Sequence, residues 1–114
     1  MTLAPTSTGP QLSVAMIVKN EAARLGAALD SVKGVAEDLV VVDTGSTDET
    51  VALATMAGAR VLYAPWTDDF AAARNVALDA CRGRWILVLD ADETLVPASQ
   101  EALLRIVGSR PGRP

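Results

Sequence analysis

Histidine is absent from the 114 residues, and cysteine occurs once. Without imidazole there is no Ser-His-Asp triad, no Cys-His pair and no His-ligated zinc. Cys81 cannot close an internal disulfide, which suits a reducing compartment; it reads as a small buried apolar residue. Aromatics make up only 4% of the chain, so the core falls to Val, Leu, Ile and Ala. No apolar run approaches a membrane span. The polar, Thr-, Ser- and Pro-rich residues 1–11 have neither the basic start nor the apolar stretch of a signal peptide. A net charge of −4 leaves no basic footprint for nucleic acid. An anionic ligand would need a local device here, such as a metal ion or a helix N-terminus. The expectation is a soluble, cytoplasmic chain with no nucleic-acid partner and no transmembrane segment.

What is present is a hydrophobic chain, 50% apolar, of a length that fits one small domain. Near-continuous apolar runs at Leu12 to Val18, Leu39 to Val42, Arg60 to Tyr63 and Trp85 to Leu89 read as strands covered on both faces, as in a parallel sheet. Helical spacing lies between them. Leu25, Ala28, Leu29 and Val32 share a face, and so do Val51, Ala54 and Ala57 or Gly58. Ser46-Thr47-Asp48-Glu49 predicts a capping box for the second helix. Asp69 suits the cap of a third, from Phe70 to Arg82, which Gly83 would end. Pro97 suits the first turn of a fourth, about Ala98 to Val107. The fold class predicted is α/β: a Rossmann-like parallel β-sheet with flanking helices, joined right-handedly. The expected organisation is a flexible lead-in over 1–11, one α/β domain over 12–107 and a flexible tail over 108–114. An edge strand of so short a sheet would be open to pairing.

In such sheets ligands bind at the carboxyl ends of the strands, and the polar residues cluster there. Lys19, Asn20 and Glu21 follow the first strand, Asp43 to Asp48 the second, and Asp90, Ala91, Asp92 and Glu93 the fourth. Two carboxylates one residue apart at a strand end, Asp90 and Asp92, can converge on a hard divalent cation. They could equally cap the next helix or face solvent; their neighbours favour the ion. Asp43 to Asp48 is explained as a capped turn and equally as a site where Asp43 accepts hydrogen bonds from a base or ribose. Arg74 defaults to a solvated helix face, while Asn75, a poor helix-interior residue, invites a specific hydrogen bond. Trp66 reads as packing and Lys19 as solvated.

Val14-Ala15-Met16-Ile17-Val18-Lys19-Asn20-Glu21, Val40-Val41-Val42-Asp43-Thr44-Gly45-Ser46-Thr47-Asp48, Ala73-Arg74-Asn75 and Ile86-Leu87-Val88-Leu89-Asp90-Ala91-Asp92 together resemble family 2 glycosyltransferases. Trp66-Thr67-Asp68-Asp69-Phe70 looks like a bacterial branch that includes lipooligosaccharide-type glucosyltransferases and enzymes fused to helical repeats. The resemblance covers about residues 12–95. It implies a GT-A-type fold, the N-terminal donor-binding half, and a nucleoside-diphosphate sugar as ligand, usually a UDP-sugar. The donor-binding set it implies is Asn20, Glu21, Asp43, Ser46, Asp48, Arg74, Asn75 and Asp90, with Asp43 on the uracil. Asp92 would be the main ligand of Mg²⁺ or Mn²⁺, with Asp90 by the metal or the ribose. Transfer would invert the anomeric centre, in the cytoplasm or at the inner membrane surface.

The chain ends about twenty residues after Asp92. Displacement at the sugar carbon needs a base within hydrogen-bond reach of the attacking oxygen, and no residue matches that role. The catalytic base is therefore unassigned. The expectation is a fragment, or half of a larger assembly, that binds donor without turnover and whose missing C-terminal half or partner chain would complete it. Two other readings stand beside this one. The chain could be a non-catalytic nucleotide-binding or interaction module. Leu87 to Leu95 also looks like the first motif of haloacid-dehalogenase-type phosphatases, with Asp90 as nucleophile and Asp92 as acid/base; there a lysine follows, and here none follows Lys33.

Overall fold

A computed structural model of the chain describes residues 2–3 and 11–107. The expected tail, 108–114, lies outside the described residues, as does most of the expected lead-in. The elements are β1 (Thr2–Leu3), β2 (Leu12–Val18), α1 (Ala22–Val32), β3 (Asp38–Asp43), α2 (Thr50–Met56), β4 (Arg60–Tyr63), α3 (Phe70–Ala80), β5 (Trp85–Val88) and α4 (Pro97–Val107). The sheet order is β1-β5-β2-β3-β4. β5, β2, β3 and β4 are parallel. The chain builds β3 and β4 outward on one side of β2, then crosses back to lay β5 on the other. The order therefore reverses between β2 and β5, and α/β sheets bind ligands beyond the carboxyl ends of their strands near such a reversal.

The apolar runs are continuous because both faces of the sheet are covered. Leu12, Val14, Met16 and Val18 of β2 and Val41 of β3 pack with Leu25, Ala28, Leu29 and Val32 of α1, Ala54 of α2, and Leu103 and Val107 of α4. On the opposite face Ala15, Val40, Val42 and Ile86 pack against Ala77 of α3. Full burial of each Val or Leu contributes about 1.5–3 kcal/mol relative to exposure, so this two-sided core carries the domain.

The four long strands and the face of α1 agree with the sequence pattern, and three details differ. Thr2–Leu3, inside the expected lead-in, pairs antiparallel with Ile86 and Trp85 and covers the edge of β5. The capping box over Ser46 to Glu49 does not form: Glu49 makes no side-chain cap bond. Asp48 instead accepts from the Thr50 N–H at 2.9 Å and from its hydroxyl. At α3 the Asp69 carboxylate does accept from the Ala72 N–H at 3.3 Å. The helix nevertheless ends at Ala80 rather than at Arg82.

Gly83 has a different task. A Cβ there would lie 2.5 Å from the Ser13 nitrogen. Its bare Cα lets the α3–β5 connection close on the amino end of β2, where Gly83 N–H donates to Ser13 Oγ at 2.7 Å. Ser13 Oγ in turn donates to Asp38 Oδ2 at 2.6 Å. Asp38 also accepts from Arg82 N–H at 2.9 Å and from Arg60 at 2.8–3.1 Å. Burial alone would raise the Asp38 pKa, but bonds from Ser13, Arg82 and Arg60, with the Arg60 charge, outweigh it and hold the carboxyl below its usual range. The half-buried Cys81 thiol beside it is pushed up, first by burial and then by the Asp38 charge, so it is a poor nucleophile. This network staples the amino edge of the sheet, opposite the carboxyl ends of the strands. Among the described residues no helix is long and apolar enough to cross a membrane.

Candidate functional site at the carboxyl edge of the sheet

The loops after β2 and β3 are stitched together. Asn20 takes φ 51°, a left-handed conformation that Asn tolerates better than most residues. In that pose its N–H donates to Ser46 Oγ at 2.9 Å, and its Oδ1 accepts from the Thr47 N–H at 2.8 Å. Glu21 N–H donates to Thr50 Oγ1 at 2.9 Å, and Ala22 N–H to Asp48 Oδ2 at 3.3 Å. The first N–H groups of α1, which no intrahelical carbonyl can satisfy, are thus capped from the loop 26 to 29 residues on. The bonds from Thr50 lead those that hold the Asp48 carboxyl below its ordinary pKa, against a smaller effect of burial.

Asp43, buried at the end of β3, organises its own turn. Its Oδ2 accepts from Gly45 N–H at 3.2 Å and Ser46 N–H at 3.1 Å, and its Oδ1 from the Ser46 hydroxyl. Gly45 takes φ 123°, which only glycine adopts without strain. The carboxylate has about four acceptor directions, so three bonds leave it capacity for one more donor. The buried Thr44 hydroxyl donates to the Val18 carbonyl at 3.0 Å and closes β3 onto β2.

Two clefts open at this edge. The larger, about 460 Å³, is lined by Lys19, Asp43, Thr44, Gly45, Tyr63, Ala64, Pro65 and Trp66. The smaller, about 250 Å³, is lined by Ile17, Val18, Lys19, Glu21, Thr44, Trp66 and Phe70. Lys19, Thr44 and Trp66 border both. The sequence reading assigned no role at the site to these residues or to Tyr63 and Phe70. The available signal was composition: three of the four aromatics fall between Tyr63 and Phe70, and all three are exposed, where large aromatics usually bury.

Five expected donor-binding residues, Asn20, Glu21, Asp43, Ser46 and Asp48, therefore meet in one hydrogen-bonded cluster. Within it Asn20, Ser46 and Asp48 spend their polar groups on loop structure. Arg24 Nε stands 3.5 Å from Glu21 Oε2, yet that oxygen is buried without a hydrogen bond. Arg74 and Asn75 are exposed on α3, and neither lines the two clefts.

Asp90 to Glu93 form a separate turn after β5, closed by Glu93 N–H to the Asp90 carbonyl at 2.9 Å. The Glu93 carboxylate is drawn back to Asp90 N–H at 3.0 Å. The carboxylates of Asp90 and Asp92 are thereby left exposed, and no hydrogen bond or ion pair engages them among the described residues. No group of three or more His, Cys, Asp or Glu side chains gathers to hold a metal among the described residues. Two free carboxylates suit a hard cation such as Mg²⁺, which takes one or two protein carboxylates and fills its shell with water and phosphate oxygens. They do not suit an all-protein cage.

A parallel sheet with its polar loops gathered beside the central strand is the architecture in which α/β domains bind ligands at their strand ends. Residues 13–110 match the family described as Glycosyl transferase family 2, and the chain belongs to that family. It is 56% identical over 86 residues to a TPR repeat-containing protein of Synechococcus elongatus, covering 75% of this chain and 21% of that protein. It is 39% identical over 103 residues to the lipopolysaccharide core biosynthesis glycosyltransferase LpsC of Rhizobium meliloti, covering 86% of this chain and 37% of that protein. Among solved structures it resembles glucosyl-3-phosphoglycerate synthase from Mycobacterium tuberculosis in complex with Mn²⁺ and UDP-glucose. The TM-score is 0.64 and the identity 29%, over 75% of this chain and 34% of that one. Another structure of that synthase holds Mg²⁺ and UDP. The chain thus spans between about a fifth and two-fifths of the length of these relatives. Membership of this family displaces the phosphatase reading of Asp90-Ala91-Asp92.

Proposed function

We propose that this chain is the donor-binding half of an inverting glycosyltransferase and holds a nucleoside-diphosphate sugar, a UDP-sugar, at the carboxyl edge of its sheet. One observation carries the reading: the polar motifs after β2, β3 and β5 sit at one edge of a sheet whose strand order reverses at β2. The synthase complexes support the ligand class.

In this reading the Asp43 turn binds the nucleobase and ribose, and the Asn20–Glu21 loop, braced by Ser46 and Asp48, borders the nucleotide. Lys19 is the cation at the mouth of both clefts. Arg74 and Asn75 close on the donor from α3, and Asp90 and Asp92 hold Mg²⁺ or Mn²⁺. A divalent ion bound there would neutralise the diphosphate and stabilise it as a leaving group. Displacement with inversion also requires a base at the acceptor hydroxyl. In this reading none of the site carboxylates is left for an acceptor hydroxyl: Asp43 is engaged in its own turn and at the nucleobase, and Asp90 and Asp92 are assigned to the ion. The 114-residue chain taken alone therefore binds donor without transferring sugar, and a further segment or partner provides the acceptor site. The enzyme it belongs to would act in the cytoplasm or at the inner membrane surface.

Calorimetric titration with UDP and Mn²⁺ tests this. The wild type should bind, and Asp92→Ala should lose at least about tenfold in affinity, the effect of one charge-assisted contact of about 1.4 kcal/mol or more. Equal heats for the two proteins would remove the metal–diphosphate assignment.

A further inference from the structure

We propose that Trp66 is the platform on which the nucleobase of the donor stacks, which makes it a determinant of affinity for the nucleoside end of the ligand. This rests on the donor-binding reading above. The indole borders both clefts at the carboxyl edge, so a ligand passing from one to the other meets it. It is 44% exposed. Its orientation is held from within the loop. Asp68 takes φ 58°, and its Oδ1 accepts from Trp66 Nε1–H at 2.9 Å. The polar edge of the ring is thus satisfied before any ligand arrives, and its π-face is left for apolar contact. Across the larger cleft, Asp43 retains acceptor capacity for one donor. A planar base offers the matching pair of features, a face for the indole and an edge N–H for the carboxylate. A phosphate offers neither, and a sugar offers the indole only a C–H face. Stacking of this kind needs no new charge, which suits an acidic chain.

Tyr63 is the competing platform. It is more exposed and ends the strand paired with β3, with Asp43 in register beside it. It borders only the larger cleft and no hydrogen bond orients its ring among the described residues. The indole is therefore the better-ordered surface.

The test is a set of calorimetric titrations of the 114-residue chain with UDP, UDP-glucose and pyrophosphate, each with Mn²⁺. Trp66→Ala should weaken UDP and UDP-glucose alike by about tenfold or more, within the range found for removal of a base–aromatic stack. Trp66→Tyr should restore most of the affinity, and pyrophosphate binding should not change. In Trp85→Phe, where Trp66 is the only indole, UDP should quench the emission and pyrophosphate should not. Unchanged UDP affinity in Trp66→Ala, or a loss confined to Tyr63→Ala, would overturn the proposal while leaving the donor site standing. A loss for UDP-glucose but not for UDP would overturn it in favour of a sugar platform. Failure of the wild type to bind UDP at all would instead defeat the donor-binding reading and this inference with it.

Discussion

At the scale of single residues, the polar groups divide into those consumed by structure and those left over. Asn20, Ser46 and Asp48 were expected to touch ligand, but their hydrogen-bonding capacity goes mainly to holding two loops together. Asp90 and Asp92 keep theirs, because Glu93 rather than either aspartate closes the turn. Asp38, absent from every sequence-based expectation, carries the densest network in the domain. Its pKa is depressed in the folded state, so it contributes stability that is present above the unfolded value, about 3.9, and is lost as pH falls through the lower folded value. Thermal melts from pH 5 to pH 2 should therefore show the wild type losing stability more steeply below about pH 4 than Asp38→Asn. Parallel curves would mean that the carboxylate is not the titrating group. Arg60→Ala should cost about 1.5–3 kcal/mol in urea unfolding at neutral pH, as a charge-assisted bond to a buried carboxylate is lost.

Among the elements, close approach matters as much as propensity. The sequence pattern reads Gly83 as the stop signal of α3, a reasonable inference from glycine after a helix. The helix stops at Ala80, short of the expected Arg82, and the glycine is needed because β2 backbone occupies the space its Cβ would fill. Gly83→Ala should destabilise by at least about 1–3 kcal/mol, the usual cost of overpacking, with the clash falling on backbone that cannot rotate away. Urea denaturation measures this, and a cost below that range would mean that the α3–β5 connection shifts freely. The capping box was a fair reading of local spacing for the same reason. Ser46 to Glu49 has the right residue types, but the nearby Asn20 loop offers long-range partners that a local pattern does not contain. Asp69 has no such competitor and caps α3 as its position suggests.

For the molecule as a whole, the consequence of the proposed donor site is linkage. A ligand that binds only the folded state stabilises it by about 2.7 kcal/mol at a hundred times its Kd. UDP with Mn²⁺ should accordingly raise the Tm by several degrees. Mn²⁺ with uridine should do so much less, because in the proposed site the ion engages the diphosphate. A chelator should abolish the UDP-dependent part. The same preparation should show no glycosyl transfer from a UDP-sugar to any added saccharide acceptor, and detectable transfer would contradict the assignment of the acceptor base to another segment.

The amino-acid sequence by itself determined the α/β class, the four long strands, the buried face of α1 and the strand ends that carry polar residues. These depend on period and local chemistry, and a residue's neighbours along the chain contain that information. Only the tertiary structure decided the strand order with its reversal at β2, and the pairing of Thr2–Leu3 with β5. It alone set the Ser13–Asp38–Arg60 staple and the division of the carboxyl-edge side chains between bracing and free groups. Those outcomes turn on which loops come within about 3 Å of each other, a property of the assembled sheet. The same physics sets the place of Trp66, which is one more apolar residue in the linear pattern and a shared wall of two clefts in the folded chain.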